Sequence, residues 1–297
     1  LASAAEAMKV LEEEVAQVAA GRSDSLLEPG SSRTLGYCSE IDRSDQPYLL
    51  QIPKEHDGKT PLPLVVFLHG QGMFNPRQFS APAIPGAYVV GPQGRGGMDW
   101  MFVAEPDVLS VIAQARRLVP VDEKRIYLAG ASMGGTGCWH LASHYPELFA
   151  GFVAVTGLMD VRSLDALSGN PRLARLPKNA PERFLIEETS SLSYAGNLLN
   201  HRIVAAHGAA DTINPVGGAL AIYERLRSLG HSSLETHLYP YLGHGLDFNY
   251  PQAISSLVHN SRPKPLRIHH TVAWLRHGQA YWLRIAGMER HLRFAEV

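Results

Sequence analysis

A serine hydroxyl is a poor nucleophile at neutral pH until a base takes its proton and the chain holds it exposed. Gly130-Ala131-Ser132-Met133-Gly134 has the form that such exposure requires. It follows an apolar run, residues 125–129, and precedes a helix-like segment, residues 135–145. A sharp strand-to-helix turn presenting Ser132 tolerates only small residues two positions before and after it, here Gly130 and Gly134. The pentapeptide alone arises readily in a glycine-rich chain, so its weight rests on its partners.

Ser132 needs a base, the base needs an orienting carboxylate, and the developing oxyanion needs donors. On a parallel sheet built around such a turn the order along the chain is Ser, then Asp or Glu, then His. Asp211 follows the strand-like run 203–206 through His207-Gly208-Ala209-Ala210, which puts a carboxylate in a loop just past a buried strand. One helix and one strand later, Gly243-His244-Gly245 sets a histidine between glycines in another loop. Ser132, Asp211 and His244 thus meet the order, the loop placement and the spacing of elements together. The oxyanion donors would be the Met133 N–H and one from His69-Gly70-Gln71-Gly72, with Gln71 or Gly72 the donor.

Other residues compete for these roles. Asp160 or Asp247 could replace Asp211 if the latter only caps a turn before Pro215. His69 and His207 precede loop glycines and read as turn supports. His140 and His144 have the i,i+4 spacing of metal ligands, but no third ligand is evident, and a packed or solvated helix face is the preferred reading, so no metal site is expected. Met73, Phe74, Trp100, Met101 and Phe102 either line a substrate pocket or cap the core. Glu105-Pro106-Asp107 reads as a helix start, which makes Asp107 structural.

These residues must be positioned by a regular scaffold. Strand-like runs at 48–52, 64–68, 87–90, 126–129, 152–155, 203–206 and 234–239 alternate with helical patterns at 106–118, 135–145 and 217–229. Continuous apolar strands separated by helices predict an α/β fold with a mostly parallel central sheet and helices on both faces. In such sheets functional residues gather in the loops leaving the carboxyl ends of strands, where all four site segments fall. Residues 1–32 read as a leader helix (apolar at 8, 11, 15 and 18) and a linker. Residues 33–262 read as the catalytic domain. Residues 263–297, with β-like runs at 266–275, 280–285 and 291–297, read as a short β-like C-terminal extension, truncated within its pattern.

With 297 residues, 45% hydrophobic and 19% charged, the chain has the composition of a globular protein large enough for one α/β domain. Lys+Arg (27) nearly balance Asp+Glu (28), which argues against a nucleic-acid partner. No apolar stretch reaches the ~18 residues of a transmembrane segment. Cys38 and Cys138 cannot form a disulfide framework, and buried free thiols are favoured over one bridge. Leu1-Ala2-Ser3-Ala4-Ala5 lacks the make-up of an intact signal peptide. Secretion or periplasmic export after signal removal is the favoured expectation, and the oligomeric state is not specified.

His69-Gly70-Gln71-Gly72, Gly130 through Gly135, His207-Gly208-x-x-Asp211 and Gly243-His244-Gly245 together resemble the α/β-hydrolase superfamily. Arg125-Ile126-Tyr127-Leu128 before the turn and His144-Tyr145-Pro146-Glu147-Leu148-Phe149-Ala150 after it are similar to the polyhydroxybutyrate-depolymerase-like and prolyl-oligopeptidase-like esterase branch, as is Trp139. The resemblance covers residues 40–255. It implies an α/β-hydrolase fold, a Ser132 nucleophile, a His244 base, an Asp211 orienter, an acyl-enzyme intermediate and no cofactor. The expected activity is that of a serine carboxylesterase on small or polymer-linked esters (feruloyl, acetyl-polysaccharide or polyester among them). A peptidase of the prolyl-oligopeptidase type is the alternative, weakened by the lack of room for a large gating domain. A non-catalytic binding protein on the same fold is a third reading, opposed by the presence of all three triad members.

Overall fold

The computed structural model describes residues 27–72, 80–162, 179–290 and 292–297. The expected leader helix, Met73, Phe74 and His291 lie outside the described residues. The central sheet has eight strands: β1 (Ser32–Cys38), β2 (Asp45–Gln51), β3 (Leu62–Leu68), β4 (Tyr88–Pro92), β5 (Val121–Ala131), β6 (Gly151–Val155), β7 (Arg202–Gly208) and β8 (Leu234–Tyr239). Their spatial order is β1-β2-β4-β3-β5-β6-β7-β8. β2 runs antiparallel to both neighbours, and every pair from β4 to β8 is parallel.

The inner strands read as continuous apolar runs because both of their faces are covered. In β3, Leu64, Val66 and Leu68 point into one core layer and Val65 into the other, following the strand's two-residue pleat. The first layer is closed by α1 (Ala104–Leu118), α2 (Met133–His144) and α4 (Val216–Ser228), through Val108, Ile112, Trp139, Leu141, Ile222 and Leu226. The second is closed by Ile254 and Leu257 of α5 (Tyr250–Leu257). Full burial of each such side chain contributes about 1.5–3 kcal/mol. Helix α3 (Ala180–Thr189) begins at Asn179, whose side chain accepts the Glu182 N–H at 3.0 Å.

The expected strands and the three expected helices are present, with ends shifted by a few residues. β1, α3 and α5 are additions. β1 is an edge strand whose residues alternate between exposed and half-buried, too weak an apolar signal to read from sequence. Cys138 is buried and free as expected, whereas Cys38 is exposed, because it closes this edge strand.

In the C-terminal stretch, β9 (Thr271–Val272) pairs with β12 (Ala295–Glu296), and β10 (Gln279–Ala280) pairs with β11 (Leu283–Arg284). Side-chain bonds tie it to the sheet's helices. The Asn197 amide donates to Ser143 O and Thr271 O, both at 2.8 Å, and accepts the Thr271 N–H at 2.7 Å. Trp274 Nε1 donates to Glu188 Oε1 at 2.8 Å.

Candidate active site

Ser132 stands at the junction of β5 and α2 with φ 56° and ψ −121°, the strained left-handed region that non-glycine residues rarely occupy. Its neighbours explain why the turn needs glycine. A Cβ on Gly134 would lie 2.0 Å from Leu68 O, and one on Gly130 would lie 2.7 Å from the same atom. The turn is pinned by Ser132 N–H to Val155 O at 2.9 Å and by Thr136 N–H to Ser132 O at 2.9 Å. Strain is thereby sustained by the surrounding backbone.

His244 Nε2 lies 2.7 Å from Ser132 Oγ, and His244 Nδ1 lies 2.8 Å from Asp211 Oδ2. A carboxylate only accepts, so Nδ1 carries the proton and Nε2 presents its lone pair to the serine hydroxyl. The Asp211 side chain is fully buried, while a quarter of the His244 side chain is exposed (25%), so the relay opens to solvent at its reactive end. Asp211 Oδ1 accepts the N–H groups of Ile213 (2.8 Å) and Asn214 (2.9 Å), a local turn that fixes the carboxylate. The Asn214 amide then donates to Thr156 O at 2.7 Å, joining the loop after β7 to the loop after β6. Asn214 was not singled out from the sequence. Its signal is the Asp-Thr-Ile-Asn-Pro run, which has the form of an Asx turn.

His207 is buried and supports the same loop: its Nε2 lies 2.8 Å from Asn214 O and 3.5 Å from Asp211 Oδ2. Burial holds its pKa below the ordinary histidine value, so it faces Asp211 as a neutral ring. The competitors of Asp211 are elsewhere. Asp160 is engaged by Arg162, with Oδ2 2.7 Å from a guanidinium nitrogen, and Asp247 is exposed.

The loop after β3 runs beside the serine, for a Cβ on Gly70 would come within 3.9 Å of Ser132 Cβ. Gln71 and Gly72 form an exposed turn, Gly72 with φ +82°. Met133, first residue of α2, has an N–H that no turn of the helix can satisfy. His69 anchors the loop, its ring nitrogens each 3.0 Å from a carbonyl oxygen, of Gly70 and of Gln93.

Trp100, offered above as a pocket wall, is instead 1% exposed. Its indole Nε1 donates to His69 O at 3.3 Å, its ring meets the His69 ring edge-on at 4.7 Å, and a Cβ on Gly137 would lie 2.5 Å from it. It wedges between the β3 loop and α2, supporting the site from beneath. Met101 is likewise buried, while Phe102 is about half exposed (49%). Asp107 is structural, its Oδ2 bridged to Arg95 Nε at 2.6 Å.

His140 and His144 face inward on α2 and are buried. His140 Nε2 lies 2.7 Å from Glu105 Oε1, and His277 of the C-terminal stretch lies 2.9 Å from Glu105 Oε2. Among the described residues no group of three His, Cys, Asp or Glu is placed to hold a metal ion.

With that geometry in place, the prolyl oligopeptidase family (Peptidase_S9) matches residues 95–261, a span that contains Ser132, Asp211 and His244. The chain belongs to the prolyl oligopeptidase family. It has an α/β-hydrolase fold. Its fold is similar to that of Pyrococcus horikoshii acylaminoacyl peptidase, at 21% identity and TM-score 0.58 over 76% of this chain and 39% of that one. It is similar to a thermostable esterase at 20% identity and TM-score 0.56, over 78% of this chain and 63% of the other. It is also similar to a ferulic acid esterase at 18% identity and TM-score 0.59, over 78% of this chain and 97% of that one. The chain thus spans about two-fifths of the peptidase's length. No curated protein matches it in sequence. Among the described residues of this family member no helix is long and apolar enough to cross a membrane.

Proposed function

We propose that the protein is a serine carboxylesterase in which Ser132 is the nucleophile, His244 the base and Asp211 its orienter. The observation that carries the reading is the unbroken relay from Asp211 Oδ2 through His244 to Ser132 Oγ, at 2.8 and 2.7 Å. His244 Nε2 takes the hydroxyl proton as Ser132 Oγ attacks the ester carbonyl, and Asp211 stabilises the imidazolium that forms. The oxyanion is held by the Met133 N–H and by one from Gln71 or Gly72, donors worth about 3–4 kcal/mol each in such sites. His244 returns its proton to the departing alkoxide. Water, deprotonated by the same nitrogen, then releases the acid from Ser132.

Ester rather than peptide cleavage is favoured by extent: the fold spans 97% of the ferulic acid esterase chain it resembles but 39% of the acylaminoacyl peptidase. Peptide cleavage is the second reading, favoured by the family match over residues 95–261. The deciding measurement compares p-nitrophenyl butyrate with N-acylated dipeptide p-nitroanilides, using Ser132→Ala as the blank. Esters are expected to give the higher kcat/KM. Peptide anilides turned over as well as esters would move the assignment to a peptidase. Failure of a fluorophosphonate probe to label Ser132 would remove both.

A further inference from the structure

A second cleft lies at the opposite end of the sheet from Ser132. Its volume is about 600 Å³, within the range of small-molecule sites, and its walls include Tyr145, Glu147, Arg262, Lys264, Tyr281 and Trp282. Glu147 stands between the end of α2 and the start of β6, and the Arg262 N–H donates to Lys124 O in the first half of β5 at 2.7 Å. Ser132 caps the other end of α2, a helix of 12 residues and hence ~18 Å long.

One wall is built by the β10–β11 hairpin. Ala280 pairs with Leu283, which leaves Tyr281-Trp282 as a two-residue loop. The first position of such a loop takes a positive φ and favours glycine, yet Tyr281 holds it at φ 52°. Strain kept at an aromatic residue points to a use for its side chain. Trp282 is 66% exposed, and its Nε1 donates to Pro265 O at 2.8 Å, so the indole is held in one orientation with a face free for stacking.

The polar side of the cleft is equally specific. Glu147 Oε2 and the Tyr281 hydroxyl are shielded from solvent and have no hydrogen-bond partner among the described residues. Buried polar atoms are normally paired, and both of these belong to residues that line the cleft. Burial pushes the Glu147 carboxyl up to about 7, against the pull of Arg262, so it both donates and accepts near neutrality. Arg262 is committed to the carbonyl oxygens of Glu147 and Leu148 and stiffens that wall.

These groups discriminate among ligands. Arg262 and Lys264 oppose an ammonium ligand; the Arg262 guanidinium is spent on the Glu147 and Leu148 carbonyls, so a carboxylate or phosphate would meet Glu147 with Lys264 alone as its partner. A proline-rich peptide would fill an aromatic groove but offers few donors to a carboxyl. A neutral ring edged with hydroxyls and bearing an apolar C–H face satisfies both the indole and the paired polar atoms. We propose that this cleft is a second ligand site that takes a pyranose unit of a neutral oligosaccharide, stacked on Trp282 and hydrogen-bonded to Glu147 and Tyr281.

The test uses the full chain carrying Ser132→Ala, so that no ester is turned over. It is titrated with neutral xylo-, cello- and manno-oligosaccharides by calorimetry and tryptophan fluorescence. At least one series is expected to bind, with affinity about tenfold weaker or more on adding Trp282→Ala and several-fold weaker on adding Glu147→Gln. Trp282 is at an exposed hairpin tip, and Glu147→Gln keeps the side chain's shape, so folding, checked by circular dichroism, is expected to survive both. In the Ser132 background Trp282→Ala should leave p-nitrophenyl ester hydrolysis within about twofold, which separates failure of this site from failure of the proposed ester chemistry. Absence of binding by every series at about 5 mM overturns the proposal. So does binding unchanged in both variants, or Trp282-dependent binding of a proline-rich peptide in place of the saccharides.

Discussion

Two carboxylate–histidine arrangements in this molecule have nearly the same local geometry and different consequences. At one end of α2, Asp211 holds His244 at 2.8 Å and the ring's far nitrogen meets Ser132 Oγ. At the other end, Glu105 holds His140 at 2.7 Å and His277 at 2.9 Å, with the Tyr145 hydroxyl donating to it at 2.9 Å. In the first, the imidazole leads outward to the strained Ser132 at a quarter-open surface. In the second, both imidazoles are turned inward, joining α1, α2 and the C-terminal stretch, while the half-exposed Arg276 approaches Glu105 Oε1 at 3.6 Å. A carboxylate that orients an imidazole is therefore not itself a catalytic signature. What separates the two is the atom on the far side of the ring and the access of that atom to substrate.

The sharpest way to break the comparison is to remove each carboxylate or its target in turn. Ser132→Ala, or Asp211→Asn, is expected to lower kcat for p-nitrophenyl esters by about 10⁴-fold or more while leaving the melting temperature near that of the parent. Steady-state kinetics beside calorimetry would show it, and survival of more than about a thousandth of the rate in Ser132→Ala would refute the nucleophile assignment. Glu105→Ala is expected to do the reverse. It strips two buried imidazoles and a phenol of their acceptor, costing about 3 kcal/mol of stability, with activity per folded molecule retained. Urea unfolding followed with an active-site titration would measure both, and a loss of kcat at unchanged stability would erase the distinction drawn here.

Gly134→Ala should fall between the two classes. Its Cβ would press on Leu68 O, costing about 1–3 kcal/mol, and would also displace the Ser132 turn, so stability and kcat fall together. A variant with parental kcat would show that the turn absorbs the strain.

A change of pH probes the inner cluster without any substitution. Burial, with the neighbouring His140 and His277 charges, holds the His144 pKa well below its ordinary value, and burial lowers that of His277. Each ring thus binds its proton more weakly folded than unfolded. Its contribution is complete above the unfolded value of about 6.5 and is lost as pH falls toward the folded value, by up to about 1.4 kcal/mol per pH unit per group. Glu105 has the same sign. Burial alone would raise its pKa, but hydrogen bonds from His140 and His277 prevail and hold it low, so its share is lost at still lower pH. Melting temperatures measured from pH 7.5 down to 5 should decline, and a flat profile would mean that the inner cluster is not charged on unfolding.

The outer arrangement was legible in the sequence because its signals are local. Ser132 lies in a pentapeptide whose glycines announce the turn, Asp211 follows an apolar strand, and His244 sits between glycines. The parallel scaffold was legible for a related reason: strands buried on both faces are written as unbroken apolar runs. The edge strand β1 was not, since half its residues face water. Trp100 read equally as a pocket wall or a core cap, since a loop tryptophan near an oxyanion turn fits both; only its packing against His69 and Gly137 shows it to be a buried support.

The inner cluster had no sequence signal of its kind. Glu105 looked like a helix start, His140 and His144 like one helix face, and His277 fell between two β-like runs. These residues are brought together by how the C-terminal stretch docks, and His277 is 172 positions from Glu105. By itself the sequence determined the scaffold and which three residues would meet at its edge, because the glycine-flanked serine turn, its partners in order and a buried strand pattern are each encoded within a few consecutive residues. The tertiary structure decided which carboxylate–histidine pair faces substrate and which is sealed, because access and burial are properties of how distant segments pack.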